Sequence, residues 1–334
     1  GYVSPKKNYI DLAIRADSTH IDFMHSFTKS FISQIDGRAV GDVRLAGPLS
    51  TINLTGEVVV NGSAMIRPLN CRYTLDNDTI RLIPDEIELR NAVIRDAYGN
   101  AGYVNGFIHH KHLTRLSYDL NVKADNLLAY DFHDFGNDTF YGTVYADGNV
   151  DIQGRSGYLK MDVDVTPKKN STFVYNASTN DQISSQEFIN WNDVTARQKE
   201  IPNSSSLIPN SPTSEVYDYP TDMFINFNIN CTPDATIRLL MDSHTNDYIT
   251  MYGRGMLRAT YYNKGAFNMF GTYTLDHGTY GITIQNIIKK NFTFNEGGTF
   301  VFGGNPYDAT LNLQAAYTVN GVSLSDLNVG NSFT

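Results

Sequence analysis

An all-β fold is predicted by three observations. Apolar and polar residues alternate with a period of two along most of the 334 residues. Tyr (21 copies), Gly (26) and Asn (33) are abundant while charged residues make up only 18%, a balance that favours strands and turns over helices. Glycines also punctuate the alternating segments. With 41% hydrophobic residues the chain is too apolar for disorder. Its length suits one extended domain or roughly two compact ones.

The elements follow in order. Leu116, Tyr118, Leu120, Val122 and Ala124 alternate with Ser117, Asp119, Asn121 and Lys123. Leu159, Met161, Val163 and Val165 alternate with Lys160, Asp162 and Asp164. Met223, Ile225, Phe227, Ile229 and Cys231 interleave with Phe224, Asn226, Asn228 and Asn230. Ile237, Leu239 and Met241 repeat the pattern, as do Leu311, Leu313, Ala315 and Tyr317. Each segment reads as a strand with one apolar and one solvated face, as in antiparallel or mixed sheets.

One segment differs. Phe23, Met24, Phe27, Phe31, Ile32 and Ile35 recur at three- and four-residue spacing, which predicts an amphipathic helix over 21–35. Asp17, Ser18 or Thr19 would cap its start and Gly37 would stop it. A weak repeat pairs Gly41-Asp-Val-Arg-Leu-Ala-Gly47 with Gly142-Thr-Val-Tyr-Ala-Asp-Gly148, and a third block begins near Gly253-Arg-Gly255. Such repetition suggests a sheet that extends along one axis. The stretch Thr166–Thr221 carries Pro167, Pro202, Pro209, Pro212 and Pro220 among Ser and Asn. It reads as a surface loop or insertion in one extended domain, with Phe188–Asp193 able to form a short strand.

Several function classes are excluded. The net charge of −9 and pI near 5.3 oppose non-specific nucleic-acid binding, which needs basic stripes. The longest apolar run, Leu127–Tyr130, is far short of the ~20 residues of a membrane-crossing helix. Gly1–Lys7 carries no signal-peptide pattern, so the chain is expected to be a fragment of a longer protein.

Cys71 and Cys231, far apart and set in alternating apolar patterns, read as buried free thiols. His109, His110 and His112 form the one histidine cluster, but no carboxylate or Cys lies beside it in sequence. A solvated loop without metal is expected there. Asp162 and Asp164, like the pair Asp85 and Glu86, read as ordinary carboxylates, the former two facing water. The sequons at Asn53, Asn77 and Asn170 are expected by chance in so Asn-rich a chain. A Gly-x-Ser-x-Gly elbow, a phosphate loop and an HExxH motif are all lacking. The expectation is a non-enzymatic protein without a cofactor.

One helix cannot cover the apolar face of roughly fifteen to twenty strands. The sheet must either close on itself as a sandwich or barrel, or stay partly open and present an apolar groove. Periodicity leaves both possibilities standing.

A resemblance favours the groove. The run Gly37-Arg-Ala-Val-Gly-Asp-Val-Arg-Leu-Ala-Gly-Pro-Leu49, followed by Leu54-Thr-Gly-Glu-Val58, resembles the glycine-spaced signature of AsmA-like envelope proteins. Phe292 to Tyr317, with Gly-Gly-Thr-Phe-Val-Phe-Gly-Gly inside it, resembles the far end of the C-terminal domain of TamB-type translocation and assembly module proteins. The likeness covers most of residues 20–320 in family order. The Asn- and Tyr-rich composition suggests a Bacteroidetes-like source.

The resemblance implies an elongated curled sheet, a half-pipe or β-taco, with an apolar concave groove. It implies a periplasmic location in a Gram-negative bacterium, with an inner-membrane anchor N-terminal to this fragment. The expected partners are phospholipid and an Omp85-type outer-membrane barrel (TamA or BamA). The expected roles are outer-membrane protein assembly and phospholipid transfer between the membranes. Groove candidates are Leu116, Tyr118, Leu120, Val122, Leu159, Met161, Val163, Val165, Ile225, Phe227, Ile229, Ile237, Leu239 and Met241. Candidates for docking a partner are Phe300, Phe302, Leu311, Leu313 and Tyr317. Two competing readings are a secreted β-sandwich adhesin or carbohydrate-binding module, using Trp191, Tyr261 and Tyr262 as sugar platforms, and a β-helical polysaccharide-degrading enzyme.

Overall fold

The computed structural model describes residues 1–22, 32–112, 114–133, 140–176, 222–265, 267–284 and 287–318. Among them nineteen strands join one sheet. The first nine are β1 (Tyr2–Ser4), β2 (Tyr9–His20), β3 (Ile32–Pro48), β4 (Asn53–Ile66), β5 (Cys71–Ile83), β6 (Glu86–Arg95), β7 (Ala101–Lys111), β8 (Thr114–Phe132) and β9 (Phe140–Arg155). Each pairs antiparallel with the next. Short turns suffice for that wiring.

The middle of the sheet consists of β10 (Tyr158–Pro167), β11 (Thr172–Asn176), β12 (Asp222–Cys231), β13 (Thr236–Asp242), β14 (Asp247–Tyr262) and β15 (Asn268–Ile284). β10 and β11 pair with opposite halves of β9, and β12 and β13 with opposite halves of β14. The pairs β10–β12 and β11–β13 are parallel. The pairings β9–β10–β12–β14–β13–β11 return to β9, a closed six-strand circuit with further strands attached on either side. An all-β architecture is thus established; β10 and β11 lie end to end along one edge of β9, and β12 and β13 along one edge of β14, so the circuit is a divided stretch of the sheet. Beyond β15 come β16 (Ile288–Phe294), β17 (Thr299–Gly304), β18 (Thr310–Asn312) and β19 (Ala315–Ala316). β16 and β17 flank different halves of β15, and β19 and β18 line them in turn.

The expected helix over 21–35 needs correction at its end, over 32–35. Ile32 and Ile35 lie in β3, in register with Ile66 and Ala64 of β4. Gly37, the expected stop, sits mid-strand opposite Gly62. The expected caps Asp17, Ser18 and Thr19 belong to β2. A ladder running from Ile32 to Ala46 satisfies the backbone of Ile32–Ile35 and overrides the helical spacing there. Phe23, Met24, Phe27 and Phe31 lie outside the described residues.

The Thr166–Thr221 stretch is likewise not all loop, because Thr172–Asn176 forms β11 between β9 and β13. Residues 177–221, Phe188–Asp193 among them, lie outside the described residues.

The glycine repeat has a backbone cause. Gly142 and Gly148 of β9 adopt φ of 128° and 150°. A Cβ on either would stand 2.0 Å from the Thr172 carbonyl oxygen or 2.1 Å from that of Asp164. Only glycine lets the neighbouring strand approach so closely with this backbone bend.

Candidate functional site

Side chains on one strand face alternate, so the register decides which of them line up across strands. On one face Leu89, Gly106, Leu120, Ile152, Met161 and Ile225 follow one another from β6 to β12. Beside them run Ile87, Ile108, Tyr118, Gly154, Leu159 and Met223. On the other side run Val104, Val122, Val150, Val163, Phe227 and Ala259. Val165 and Ile229 align in the next row with Leu257. The result is a continuous apolar face that crosses the strands. Tyr118 lies across it over Gly154, where an added Cβ would sit 2.2 Å from the tyrosine ring.

The opposite face is polar. Asn105, Asn121, Asp151, Asp162 and Asn226 align there. Asn121 Nδ2 donates to Asp151 Oδ1 at 2.7 Å, and Asn226 Nδ2 donates to Asp162 Oδ1 at 2.7 Å. The Asn226 amide and the Lys160 ammonium hold the Asp162 carboxyl below its ordinary range. Asp162 and Asp164 therefore sit on the polar face, away from the apolar rows.

Burial along the apolar face is uneven. The row members Tyr118, Leu120 and Val122 on β8 and Leu159, Met161 and Val163 on β10 are half-buried, whereas Met223 and Ile225 on β12 are buried. On β14 and β15 Met251, Leu257, Tyr261, Tyr273 and Leu275 are buried, and Leu275 is 0% exposed. The apolar face is accessible toward its middle and sealed toward β15–β17.

Most groove candidates fall on this face. Ile237 and Leu239 pack against the buried cluster around Met251 and Leu275. Leu116 is half-buried at the start of the β8 alternation. Met241 is not brought in: it lies in the bulge between Leu240 and Asp242, 41% exposed. Sequence reading missed the members supplied by β6, β7 and β9. The alternation of Ala101–Lys111 was there to find them, interrupted at Gly106.

The docking candidates divide. Phe300 is buried, and Phe302 and Leu313 pack against the same cluster. Leu311 and Tyr317 are exposed, the latter under Lys290 Nζ at 4.8 Å from the ring centre. Of the sugar-platform candidates, Tyr261 is buried on the apolar face. Tyr262 has one ring face stacked on Phe224 at 4.3 Å, and Trp191 lies outside the described residues.

The histidine cluster gains carboxylates that its sequence neighbourhood lacks. The β5–β6 turn places Glu86 Oε1 3.1 Å from His109 Nδ1, and Asp85 Oδ1 3.8 Å and 3.5 Å from His110 and His112 Nδ1. The His112 backbone N–H lowers the Asp85 pKa. Burial lowers that of His110 against the pull of Asp85. Asp85 also receives the His110 backbone N–H on its carbonyl at 2.8 Å, so the group clamps two neighbouring turns together. His20, Asp22 and Asp36 offer ligand atoms within 4.8 Å of one another, all three at the exposed surface. Cys71 and Cys231 are free and buried, and burial pushes their thiols up to about 12 and about 11. Neither thiol has the thiolate character of a nucleophile. Among the described residues no helix is long and apolar enough to cross a membrane.

A family model described as TamB C-terminal domain matches residues 90–332. No curated protein and no solved structure gives a match.

Proposed function

The chain belongs to the TamB C-terminal domain family, and from that premise we propose that its apolar face is a trough for phospholipid acyl chains. Membership makes it an envelope protein of a family that acts in outer-membrane assembly or lipid transport. On our reading the fragment sits in the periplasm of a Gram-negative bacterium, C-terminal to an inner-membrane anchor. It passes phospholipid toward the outer membrane, or supports barrel-protein assembly, at an Omp85-type partner such as TamA or BamA. It does so without catalysis.

The observation that carries this reading is the set of apolar rows crossing from β6 to β12, whose large side chains on β8, β9 and β10 are only half-buried. Each acyl CH₂ moved from water onto such a surface gains about 0.8 kcal/mol. Rows that run across the strands give a chain continuous contact as it slides, while the headgroup stays in water.

The test is mass spectrometry of organic extracts from the purified protein beside a similarly expressed β protein. Phospholipid at near-stoichiometric ratio is expected. A lipid-free preparation overturns the trough and leaves a protein-docking surface. Leu120→Asp and Phe227→Asp are each expected to abolish lipid capture while the far-ultraviolet circular dichroism is unchanged.

A further inference from the structure

The apolar face has an open stretch and a closed one, and the closed end is held by little. β14 and β15 contribute Met251, Leu257, Tyr273 and Leu275 to a buried cluster that Phe294 and Phe300 complete from β16 and β17. Cys231, at the end of β12, is buried in the same cluster. Among the described residues only the strap formed by β18 and β19 lies outside β16 and β17. Phe300 pairs with Leu311 and Phe294 with Ala315 in its short ladders, and Asn295 N–H donates to the Gln314 carbonyl at 2.9 Å. Every strap residue from Thr310 to Ala316 is exposed except Leu313, which packs into the cluster.

We propose that Leu313 is the latch of a displaceable seal, and that detaching the strap Thr310–Ala316 opens the C-terminal end of the trough to an acyl chain. The proposal rests on the reading of the apolar face as a lipid trough. The physical argument is one of unequal stability. Elements with few buried contacts and solvent-exposed ladders open locally long before the whole fold does. One inserted leucine and two short edge ladders make the strap such an element, whereas β14 and β15 are paired along most of their length on both sides. Opening the strap would uncover the region around Leu275, which is 0% exposed, and join it to the half-buried Ile229, which packs against the same cluster.

The protein carries its own reporter in Cys231. In a Cys71→Ser background, the rate of alkylation of Cys231 by dodecyl maleimide reads access to the sealed end, independently of whether lipid co-purifies. Leu313→Asp is expected to raise that rate by at least about tenfold, and Leu313→Ala by a smaller factor should the aspartate variant fail to fold. Leu311→Asp, at a position of the same strap that is exposed and outside the cluster, should leave it unchanged. Equal rates in the parent and both Leu313 variants overturn the seal, as does an equal acceleration by Leu311→Asp. Phospholipid in the extracts together with unchanged alkylation would retain the trough and reject the latch. Accelerated alkylation without lipid would reject the trough and, with it, the acyl-chain role of the opening.

Discussion

Gly148 shows how much a single residue constrains this sheet. Its φ of 150° and the Asp164 carbonyl oxygen 2.1 Å from where a Cβ would stand leave no space for any side chain. Gly148→Ala is expected to lower stability by about 1–3 kcal/mol through backbone strain, and by more if β10 cannot move away; urea denaturation measures it. Asp96 is a second such residue. It is 4% exposed, and its carboxylate accepts the N–H groups of Tyr98, Asn100 and Leu128 at 2.8–2.9 Å, together with the Asn100 side-chain amide. Burial works against the charged form, but these four donors outweigh it and hold the carboxyl below its ordinary value of 3.8. The Thr283 hydroxyl and N–H do the same for Asp247 against its burial. A carboxyl whose folded pKa is lowered contributes stability above its unfolded pKa and loses it as pH falls toward the folded one. The melting temperature is therefore expected to hold above about pH 5 and fall below it. Asp96→Asn should flatten that fall, and a profile identical to the parent's would contradict the role assigned to Asp96.

The breaks between strand segments decide the element scale. β10 and β11 act as two parts of one long strand, joined by Lys168–Ser171, and β12 and β13 do the same beside them. Ser171 ties the break together. It is 2% exposed, its Oγ accepts the Tyr145 N–H at 2.9 Å and donates to the Tyr145 carbonyl at 3.0 Å, and its own carbonyl accepts the Thr236 N–H at 2.9 Å. Ser171→Ala leaves the Tyr145 N–H without its partner and should cost about 1–3 kcal/mol. Hydrogen exchange is expected to quicken first at Tyr145 and Thr236; exchange that changes uniformly across the sheet would argue against a local tie. The β3 segment makes the complementary point. Its Ile32 and Ile35 have helical spacing relative to the phenylalanines before them, yet they enter a ladder with β4. Local period was a sound guide where the ladder agreed with it and failed where the partner strand outcompeted it.

For the whole molecule, the question is whether the rows act as one surface. If they do, a charge placed anywhere along them interrupts lipid contact. Val150, on β9 between Val122 and Val163, tests this without touching any position used to propose the trough from the alternation. Val150→Asp should reduce co-purifying phospholipid at least about tenfold, because an unpaired carboxylate on an apolar surface keeps water there. Asn149→Asp, one residue away on the polar face, should have no effect. Equal losses in both would mean that general destabilisation, and not the face, controls capture.

The sequence by itself determined that this is a β protein, which residues share a face within each strand, and that its two thiols are buried. These properties follow from a period of two and from composition, and both are local. Only the tertiary structure decided which strands are neighbours and in what register. That decision aligned Leu89, Leu120, Met161 and Ile225 into one row, sent Met241 into a bulge, brought Asp85 to His110 and His112, and turned part of a proline-rich stretch into β11. Each depends on hydrogen-bonded ladders between residues far apart in the chain, whose pairing no local pattern encodes. The sealed end has the same origin. Leu311 and Leu313 are alike in sequence, and only packing against the cluster around Leu275 leaves one exposed and the other half-buried.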